Sequence, residues 1–335
     1  MIFRQLFDRA SCTLTYVLGD EASKSAVIID PVFEHHQRDT ALLRELGLKL
    51  LFSLDTHCHA DHVTGGYLMR EATGCQTVLS RRIGAENVDV PVDHGDVITF
   101  GDQRLVVRAT PGHTAGCVTY VTERQDRAFT GDALLIRGAG RTDFQGGSAE
   151  DLYASITQQI FTLPAEAALF PGHDYQGRLQ TTVDEERRFN SRIGGDASAR
   201  DFIGYMDNLG LPHPRHIAVA LPANMRNGKP EGPPTPRDSW APLTYTYGGV
   251  VEVAPDWVAT HLANVTIVDV RDAVELQEGL GVIKGAVHIP LRELRERLLE
   301  LDDAEPIATV CHAGRRSAMG AAIMRKAGLT RVANL

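Results

Sequence analysis

The segment at residues 227–242 restricts the fold most strongly, because it contains five prolines and two glycines. Proline has no backbone N–H to donate and is excluded from helix interiors and central strands, so no packed element is expected across this stretch. We therefore predict a linker here. The chain has 335 residues, and a typical domain has about 100–200. The predicted domains cover residues 1–240 and 250–335.

The hydrophobic pattern differs on the two sides of the predicted linker. Before it, short apolar runs end at loops that carry His or Asp, and the predicted strands are 13–18, 26–30, 49–54, 104–109, 118–122 and 167–170, with a helix at 37–47. The first two strands read as a hairpin. After the linker, predicted strands at 266–270, 287–289 and 307–310 alternate with predicted helices from Asp272, at 291–301 and at 317–327. Alternating strands and helices predict an α/β fold with a parallel sheet.

Composition excludes some classes of partner. The formal net charge is −9, whereas a nucleic-acid surface needs clustered Lys and Arg, so no nucleic-acid partner is expected. No run reaches the ~20 apolar residues of a membrane span, and the N-terminus has no signal-peptide core. We expect no membrane association and a cytoplasmic protein, with a homo-oligomer left open. The five cysteines are scattered and lack CxxC spacing, which predicts free thiols.

The strongest chemical signal is the motif THCHADH at residues 56–62, directly after a predicted strand. Its three histidines and one aspartate are costly in a core and serve no purpose on a surface. Further candidates, His113, Asp132 and His173, follow other predicted strands beside glycines. Imidazole and carboxylate together suit zinc, iron or manganese, and the lack of thiolate ligands argues against a structural zinc site. The residue pattern by itself permits one metal or two.

A second candidate site is the loop CHAGRRS at residues 311–317, which follows a predicted strand and opens a predicted helix. A cysteine at such a place lies near backbone N–H groups and the positive end of the helix. Arg315 and Arg316 add positive charge. These features lower a thiol pKa and stabilise bound anions, so Cys311, Arg315 and Arg316 are the predicted catalytic residues.

The order HxHxDH, GH, GD, GH resembles the metallo-β-lactamase superfamily, which implies an αββα sandwich over about residues 1–230. Within that superfamily, residues 56–65, 110–116, 134–145, 172–175 and 221–229 resemble the persulfide dioxygenases. This resemblance implies one Fe(II) per chain, bound by His57, His113 and Asp132. It also implies that His59, Asp61, His62 and His173 lie nearby without binding the metal.

The resemblance also implies a reaction, the oxidation of glutathione persulfide by O2 to sulfite and glutathione. Two histidines and one carboxylate leave adjacent coordination positions open, as this chemistry needs. Glutathione carries two carboxylates, so donors are expected near the metal. The candidates are Arg141 and Tyr175, followed by Arg137 and Arg226. For each, a purely structural ion pair or hydrogen bond is the alternative.

Residues 250–335 resemble a rhodanese domain through VDVR at 268–271, GAVHIP at 285–290 and the loop from Cys311 to Arg316. That loop has six residues, as in sulfurtransferases, whereas the related phosphatase loop needs one more. The resemblance implies that Cys311 carries a persulfide and passes sulfur between glutathione persulfide, sulfite and thiosulfate. Such domains normally run on beyond the equivalent of residues 332–335, so we expect this one to be truncated or its tail to be absent.

Other functions compete with this interpretation. A glyoxalase-II-like thioester hydrolase would use two metals, and every residue for a second metal is present. Against it, the first cluster reads His-Cys-His where those hydrolases usually have three histidines in a row. The C-terminal domain could instead serve only as a sulfur carrier or as a partner-binding module. A nuclease of the same fold is disfavoured by the acidic charge.

Overall fold

The structure is a computed structural model that describes residues 1–212, 214, 216–232, 239–277 and 281–335. The chain forms two compact units, Met1–Gly232 and Pro233–Leu335, and each has hydrophobic cores of its own. Within the predicted linker, residues 233–238 lie outside the described residues. The domain boundaries at residues 240 and 250 stay a prediction.

The first unit contains two six-stranded sheets. The strands of the first sheet follow chain order: β1 (Ile2–Phe7), β2 (Leu14–Gly19), β3 (Ser25–Ile29), β4 (Lys49–Leu54), β5 (Gln76–Ser80) and β6 (Val90–Val92). The second sheet contains β7 (Val97–Phe100), β8 (Gln103–Ala109), β9 (Val118–Thr122), β10 (Arg127–Gly131), β11 (Ala168–Pro171) and β12 (Thr181–Thr182), also neighbours in sequence order. One core of buried residues from both sheets, including Tyr16, Leu54, Tyr120 and Phe129, joins them face to face.

Helices cover the outer faces of both sheets. They are α1 (His36–Glu45), α2 (Gly66–Thr73), α3 (Ala149–Ser155), α4 (Val183–Phe189), α5 (Ala199–Asp207) and α6 (Ile217–Asn224), and α3 continues into a π-helical turn at Ile156–Ile160. Buried residues of α1 and α2 pack on the first sheet, and those of α3 and α5 pack on the second. The predicted αββα sandwich is therefore confirmed. No helix in the described part of the chain has both the length and the apolarity to cross a bilayer.

Several predicted elements agree closely with the structure. The predicted hairpin is the antiparallel pair β2–β3, and β4 and β9 have the predicted bounds. The predicted helix at 37–47 corresponds to α1, and Gly47 follows it with a φ of 63°, a conformation that favours glycine. Each loop that carries a predicted metal residue begins at the carboxyl end of a strand, so the fold gathers these loops at one edge.

The second unit has one six-stranded sheet with the order β13-β14-β18-β17-β15-β16. Its strands are β13 (Leu243–Tyr245), β14 (Val251–Val253), β15 (Thr266–Asp269), β16 (Val287–His288), β17 (Ile307–Val310) and β18 (Val332–Asn334), and its α-helices are α7 (Pro255–Thr260) and α8 (Arg315–Lys326). The pairs β14–β18, β18–β17, β17–β15 and β15–β16 are parallel, and β13–β14 is antiparallel. The predicted parallel sheet is confirmed, with one antiparallel edge strand.

Two predicted helices of this unit are wrong. Residues 291–301 form successive turns that end in a 3-10 helix at Leu298–Glu300, and most of their backbone hydrogen bonds join residue i to i−3. The leucine spacing in this segment fits such turns as well as an α-helix. The helix predicted from Asp272 is only a 3-10 turn, Ala273–Leu276, with Asp272 as its N-cap, within the residues that the structure describes there.

The start of the predicted linker is packed, contrary to our prediction. Asn227 is buried and donates to the Asn87 carbonyl at 2.9 Å. Gly228 has a φ of 69°, and a Cβ there would lie 2.3 Å from the Thr64 carbonyl oxygen. The glycine therefore allows a close backbone contact in a packed turn and is not part of a flexible linker.

Candidate functional sites

The structure brings His57, His113 and Asp132 together, although they come from three separate loops. They follow β4, β8 and β10, respectively, and one potential ligand atom from each lies within 4.8 Å of the others. His57 and His113 are buried, and so is Asp132. The Nε2 atom of His113 lies 3.7 Å from Oδ2 of Asp132. Two imidazoles and one carboxylate converge, as a 2-His-1-carboxylate metal site requires.

The surroundings of His57 assign its proton to the nitrogen away from the centre. Thr56 Oγ1 donates to Asp30 Oδ2 at 2.9 Å, so it can only accept from His57 Nδ1, which lies 3.0 Å away. His57 Nε2 is then unprotonated and free to bind a cation. An outer carboxylate that fixes the tautomer of an imidazole ligand is a common feature of metal sites.

His113 and Asp132 are oriented in the same manner. His113 Nδ1 donates to the carbonyl of Arg141 at 2.7 Å, which leaves Nε2 free. His173 Nδ1 lies 2.7 Å from Asp132 Oδ1, which leaves Oδ2 free. Burial alone would raise the pKa of Asp132, but His173 and the other imidazoles hold that pKa below its usual range. Each of the three residues thus offers one ligand atom, so the donor set fits a bound metal ion.

Two glycines allow close contacts beside the metal candidates, one between the His113 loop and α3 and one between the His173 loop and Asp132. Gly112 precedes His113 with a φ of 134°, and a Cβ there would lie 2.3 Å from the backbone of Leu152. Gly172 precedes His173, and its Cβ would lie 2.9 Å from Asp132 Oδ1. A larger residue at Gly112 would push the His113 loop away from α3, and one at Gly172 would displace Asp132.

The remaining residues of the motif form adjoining clusters. His59, Asp61 and His62 also have ligand atoms within 4.8 Å of one another, as do Asp30, Asp55 and His59. His59 Nε2 lies 3.2 Å from Asp30 Oδ1. Burial opposes the charge on His59, but Asp30 and Asp55 raise its pKa to about 9. Geometry alone leaves room for a second metal beside the first.

Sequence reasoning missed Asn224, which holds the metal loop from 160 residues away. Its side-chain amide donates to the carbonyls of His59 and His62 at 2.8 and 2.9 Å, and its oxygen accepts from the Thr64 N–H at 2.8 Å. Asn224 is the last residue of α6 and is buried. Asn224 lies in the segment LPANMRNGK, residues 221–229, but nothing in that segment indicates which residues Asn224 contacts.

A cleft of about 390 Å³ opens onto the metal candidates, and three of the four predicted glutathione contacts line it. Arg141 forms a bidentate pair with Asp143 at 2.6 Å and donates to the carbonyls of Leu211 and Pro212. Arg137 pairs with Glu185 and Glu186. Both guanidinium groups already pair with carboxylates of the protein. This agrees with the alternative prediction for these residues, a purely structural ion pair.

The other two predicted contacts differ from one another. Tyr175 lines the cleft, is 70% exposed and stacks on the His173 ring, with 6.2 Å between ring centroids. Its hydroxyl has no hydrogen-bond partner among the described residues. Arg226 is not among the residues that line the cleft and pairs with Glu231, so the structure does not bring it to the site.

Arg192 is a cleft residue that the sequence did not single out. It donates to the Ala139 carbonyl at 2.9 Å and lies over the Tyr205 ring. Within the described ranges, no carboxylate lies within ion-pair distance of Arg192. Arg178, the other arginine there, pairs with Asp174 at 2.8 Å. Arg192 is therefore the cleft cation best able to receive a substrate carboxylate.

Cys311 of the second unit lies in the turn between β17 and α8. The Ser317 hydroxyl donates to its sulfur at 3.3 Å, and Gly314, with a φ of 77°, is the N-cap of α8. Burial opposes ionisation of this thiol. The Ser317 hydroxyl and the N–H groups of Ala313 and Arg316 outweigh that effect and lower its pKa. The geometry is that of a stabilised thiolate.

The two arginines of this loop are not equivalent. Arg316 forms a bidentate pair with Glu275, with N–O distances of 2.5 and 2.6 Å. Arg315 is exposed and has no ion-pair partner in the parts of the chain that the structure describes. Arg315 thus remains available to an anion in solution, whereas Arg316 ties the cysteine loop to Glu275 through its ion pair.

The thiol environments predict selective alkylation. Burial raises the pKa of Cys58 and of Cys117 to about 12, whereas that of Cys311 is lowered. Because the thiolate is the nucleophile, iodoacetamide near neutral pH should modify Cys311 before these two. The reaction should slow as the pH falls through the Cys311 pKa and the thiol becomes protonated. Peptide mass spectrometry over time measures this, and equal modification of Cys58 would contradict it.

Comparisons with known proteins agree with both units. Residues 13–173 match the metallo-beta-lactamase superfamily, and residues 254–335 match the rhodanese-like domain. Persulfide dioxygenase ETHE1, mitochondrial, from Mus musculus is 54% identical over 229 residues, which is 68% of this chain and 89% of the mouse protein.

Two solved structures extend the comparison. The crystal structure of ETHE1 from Myxococcus xanthus is 50% identical with a TM-score of 0.66, and the match covers 68% of this chain and all of that one. A metallo-beta-lactamase from Staphylococcus aureus matches all of this chain and 98% of its own length, with a TM-score of 0.64. At 20% identity it supports the fold alone. The chain belongs to the persulfide dioxygenase family of the metallo-beta-lactamase superfamily and carries a rhodanese-like domain at its C-terminal end.

Proposed function

We propose that the first unit oxidises glutathione persulfide with O2 at a single Fe(II), forming sulfite and glutathione. The observation that carries this proposal is the convergence of His57, His113 and Asp132 in the lining of a cleft, each with one free ligand atom. Fe(II) bound there would supply the redox chemistry between persulfide sulfur and O2. The identity to persulfide dioxygenases supports the substrate class.

The chain's own residues have separable roles in this proposal. The outer partners Thr56, Arg141 and His173 hold the ligand side chains in one orientation. Arg192 receives a glutathione carboxylate, and the Tyr175 hydroxyl donates to the bound tripeptide. The cleft encloses the substrate, which limits its orientation at the reacting sulfur.

For the second unit we propose sulfur transfer through Cys311. Its thiolate attacks the outer sulfur of glutathione persulfide, the S–S bond breaks, and glutathione leaves with the electron pair and a proton. Sulfite then attacks the outer sulfur of the Cys311 persulfide, and thiosulfate leaves as the Cys311 thiolate is restored. Arg315, exposed and unpaired in the described part, is placed to attract the anion.

The cytoplasmic location stays a prediction; the mouse relative is named as mitochondrial.

One experiment separates this function from a two-metal thioester hydrolase. The full chain, purified without added metal, is analysed for metals and given glutathione persulfide while O2 and sulfite are measured. We expect about one iron per chain, as for other 2-His-1-carboxylate sites, and sulfite formed in step with O2 consumed. The cluster of His59, Asp61 and His62 favours the rival. Two metals per chain, with thioester hydrolysis and no O2 consumption, would establish it.

Arg192 gives a test of substrate binding. Replacing Arg192 with Ala removes a charge-assisted hydrogen bond worth about 1.5–3 kcal/mol, so KM for glutathione persulfide should rise roughly 10–100-fold. The iron content should not change, because Arg192 contacts none of the metal candidates. Arg104→Ala, which removes an exposed arginine paired with Glu123, is the matched control. An unchanged KM in the Arg192 variant would exclude this contact.

A further inference from the structure

A chain of hydrogen-bonded side chains connects the histidine cluster beside the metal candidates with His35. His62 Nδ1 lies 3.2 Å from Thr13 Oγ1, which lies 2.6 Å from Ser11 Oγ. Ser11 Oγ lies 2.6 Å from Asp8 Oδ2, and Asp8 Oδ1 lies 2.8 Å from His35 Nε2. The functions proposed above use none of these contacts.

The direction of the hydroxyl protons follows from the partners. The carboxylate of Asp8 only accepts, so Ser11 donates to it. Ser11 Oγ then accepts from Thr13, whose distance of 2.6 Å to Ser11 is shorter than its 3.3 Å to Asp61 Oδ2. Thr13 Oγ1 in turn accepts from an imidazole N–H, because it lies 3.1 Å from His173 Nε2 and 3.2 Å from His62 Nδ1. The imidazole and hydroxyl donors on the metal side therefore point toward Asp8, and the Nε2–H of His35 donates to Asp8 from the other side.

Burial shows that this path begins inside the protein and ends near solvent. Thr13 is 0% exposed, His62 is 6% exposed, and the His35 side chain is 30% exposed. Asp61, which accepts from His62 Nδ1 at 3.0 Å, lines the substrate cleft, whereas His35 does not. The path thus reaches solvent at a place other than the cleft.

The proposed reaction needs such an exit. One glutathione persulfide, one O2 and one water give one glutathione, one sulfite dianion and two protons. The S–S bond breaks and S–O bonds form; the outer sulfur loses four electrons, and O2 gains them. Two protons leave for every turnover, while the substrate itself occupies the cleft.

Resting on that function, we propose that Thr13, Ser11 and Asp8 form a proton path from the His62–Asp61 end of the metal site to His35. Each hydroxyl passes a proton on to its neighbour and takes one from behind, and Asp8 receives the proton from Ser11. His35 first releases its own Nε2 proton to buffer and then takes the proton from Asp8. Thr13 and Ser11 are positioning and relay groups, and neither touches the substrate.

The test uses the iron-loaded full chain in dilute buffer, with O2 consumption and a pH-indicator dye followed together. Thr13→Val keeps the side-chain shape but removes the hydroxyl, and we expect turnover to fall roughly tenfold or more, since positioned proton transfer contributes at least that much. Thr13→Ser, which keeps the hydroxyl, should restore it. His35→Gln should slow turnover in dilute buffer, and added imidazole should restore the rate.

The outcomes are separable. His35→Gln turning over at the parental rate in dilute buffer, or a slowed variant that imidazole does not restore, would overturn the path. The iron content of each variant separates a lost metal from a lost relay. Proton NMR of the metal-free protein gives a readout independent of activity: because the path carries protons to His35, the Ser11 and Thr13 hydroxyl protons should exchange with water more slowly in the His35→Gln variant than in the parent, and equal exchange rates would contradict the path. A parent protein that consumes no O2 refutes the proposed function itself.

Discussion

A His113→Gln variant is expected to purify with almost no iron. Its rate of O2 consumption with glutathione persulfide should be more than about 100-fold lower than that of the parent. Removing only an outer partner of a metal ligand typically costs about 10–100-fold in affinity or activity, so removing the ligand itself should cost more. His113 Nε2 is the atom lost, since Nδ1 is held by the Arg141 carbonyl at 2.7 Å. Elemental analysis and an oxygen electrode measure the two effects.

The matched control is His94→Gln. His94 is exposed, lies in the same unit, and its ring accepts a hydrogen bond from the Ala109 N–H at 3.2 Å. This variant should keep its iron and its activity. A His113 variant with parental iron content would show that the metal binds elsewhere.

A second substitution tests the number of metals. His62 belongs to the neighbouring cluster with His59 and Asp61, and its Nε2 atom is buried without a partner among the described residues. With one iron at His57, His113 and Asp132, a His62→Gln variant should still contain about one metal per chain. A fall from two metals to one in that variant would favour the two-metal hydrolase.

The metal candidates could be predicted because chain-local features mark them. Each follows a short apolar strand and has a neighbouring glycine or a second ligand-type residue, so the pattern marks the candidates His57, His59, Asp61, His62, His113, Asp132 and His173. The choice of three ligands among them came from the family resemblance and not from spacing. The strands around them were also predictable, because short apolar runs extend over most of their length, as in β4, or β-branched residues recur along them, as in β9 and β17.

What the sequence could not reveal depends on contacts between distant residues. Asn224 binds a loop 160 residues earlier, and Thr13 Oγ1 lies 3.1 Å from Nε2 of His173, which is equally far along the sequence. The arginines show the same limit, because whether a guanidinium is free depends on a partner brought close by folding. Arg141 and Arg316 prove to be paired, while Arg192 gave no signal in the sequence. The helix predicted at 291–301 was wrong because the spacing of its leucines fits successive 3-10 turns as well as an α-helix.

The second large effect concerns sulfur transfer. A Cys311→Ser variant is expected to form thiosulfate from glutathione persulfide and sulfite at a rate at least about 1,000-fold lower than the parent, because the residue that carries the sulfur is removed. Its O2 consumption should stay at the parental level, since the candidate metal residues His57, His113 and Asp132 lie in the other unit. Serine keeps the size of the side chain and can still contact Ser317, so loss of folding is not the expected cause. Thiosulfate is measured by chromatography.

Cys12→Ser is the control for this result. Cys12 is a half-buried free cysteine of the first unit, so its replacement tests whether any accessible thiol carries sulfur. We expect that variant to form thiosulfate at the parental rate. If Cys311→Ser forms thiosulfate as fast as the parent, the lowered pKa at that position has no catalytic use, and the second unit then acts as a binding module. If instead Cys12→Ser loses activity, the sulfur passes through the first unit.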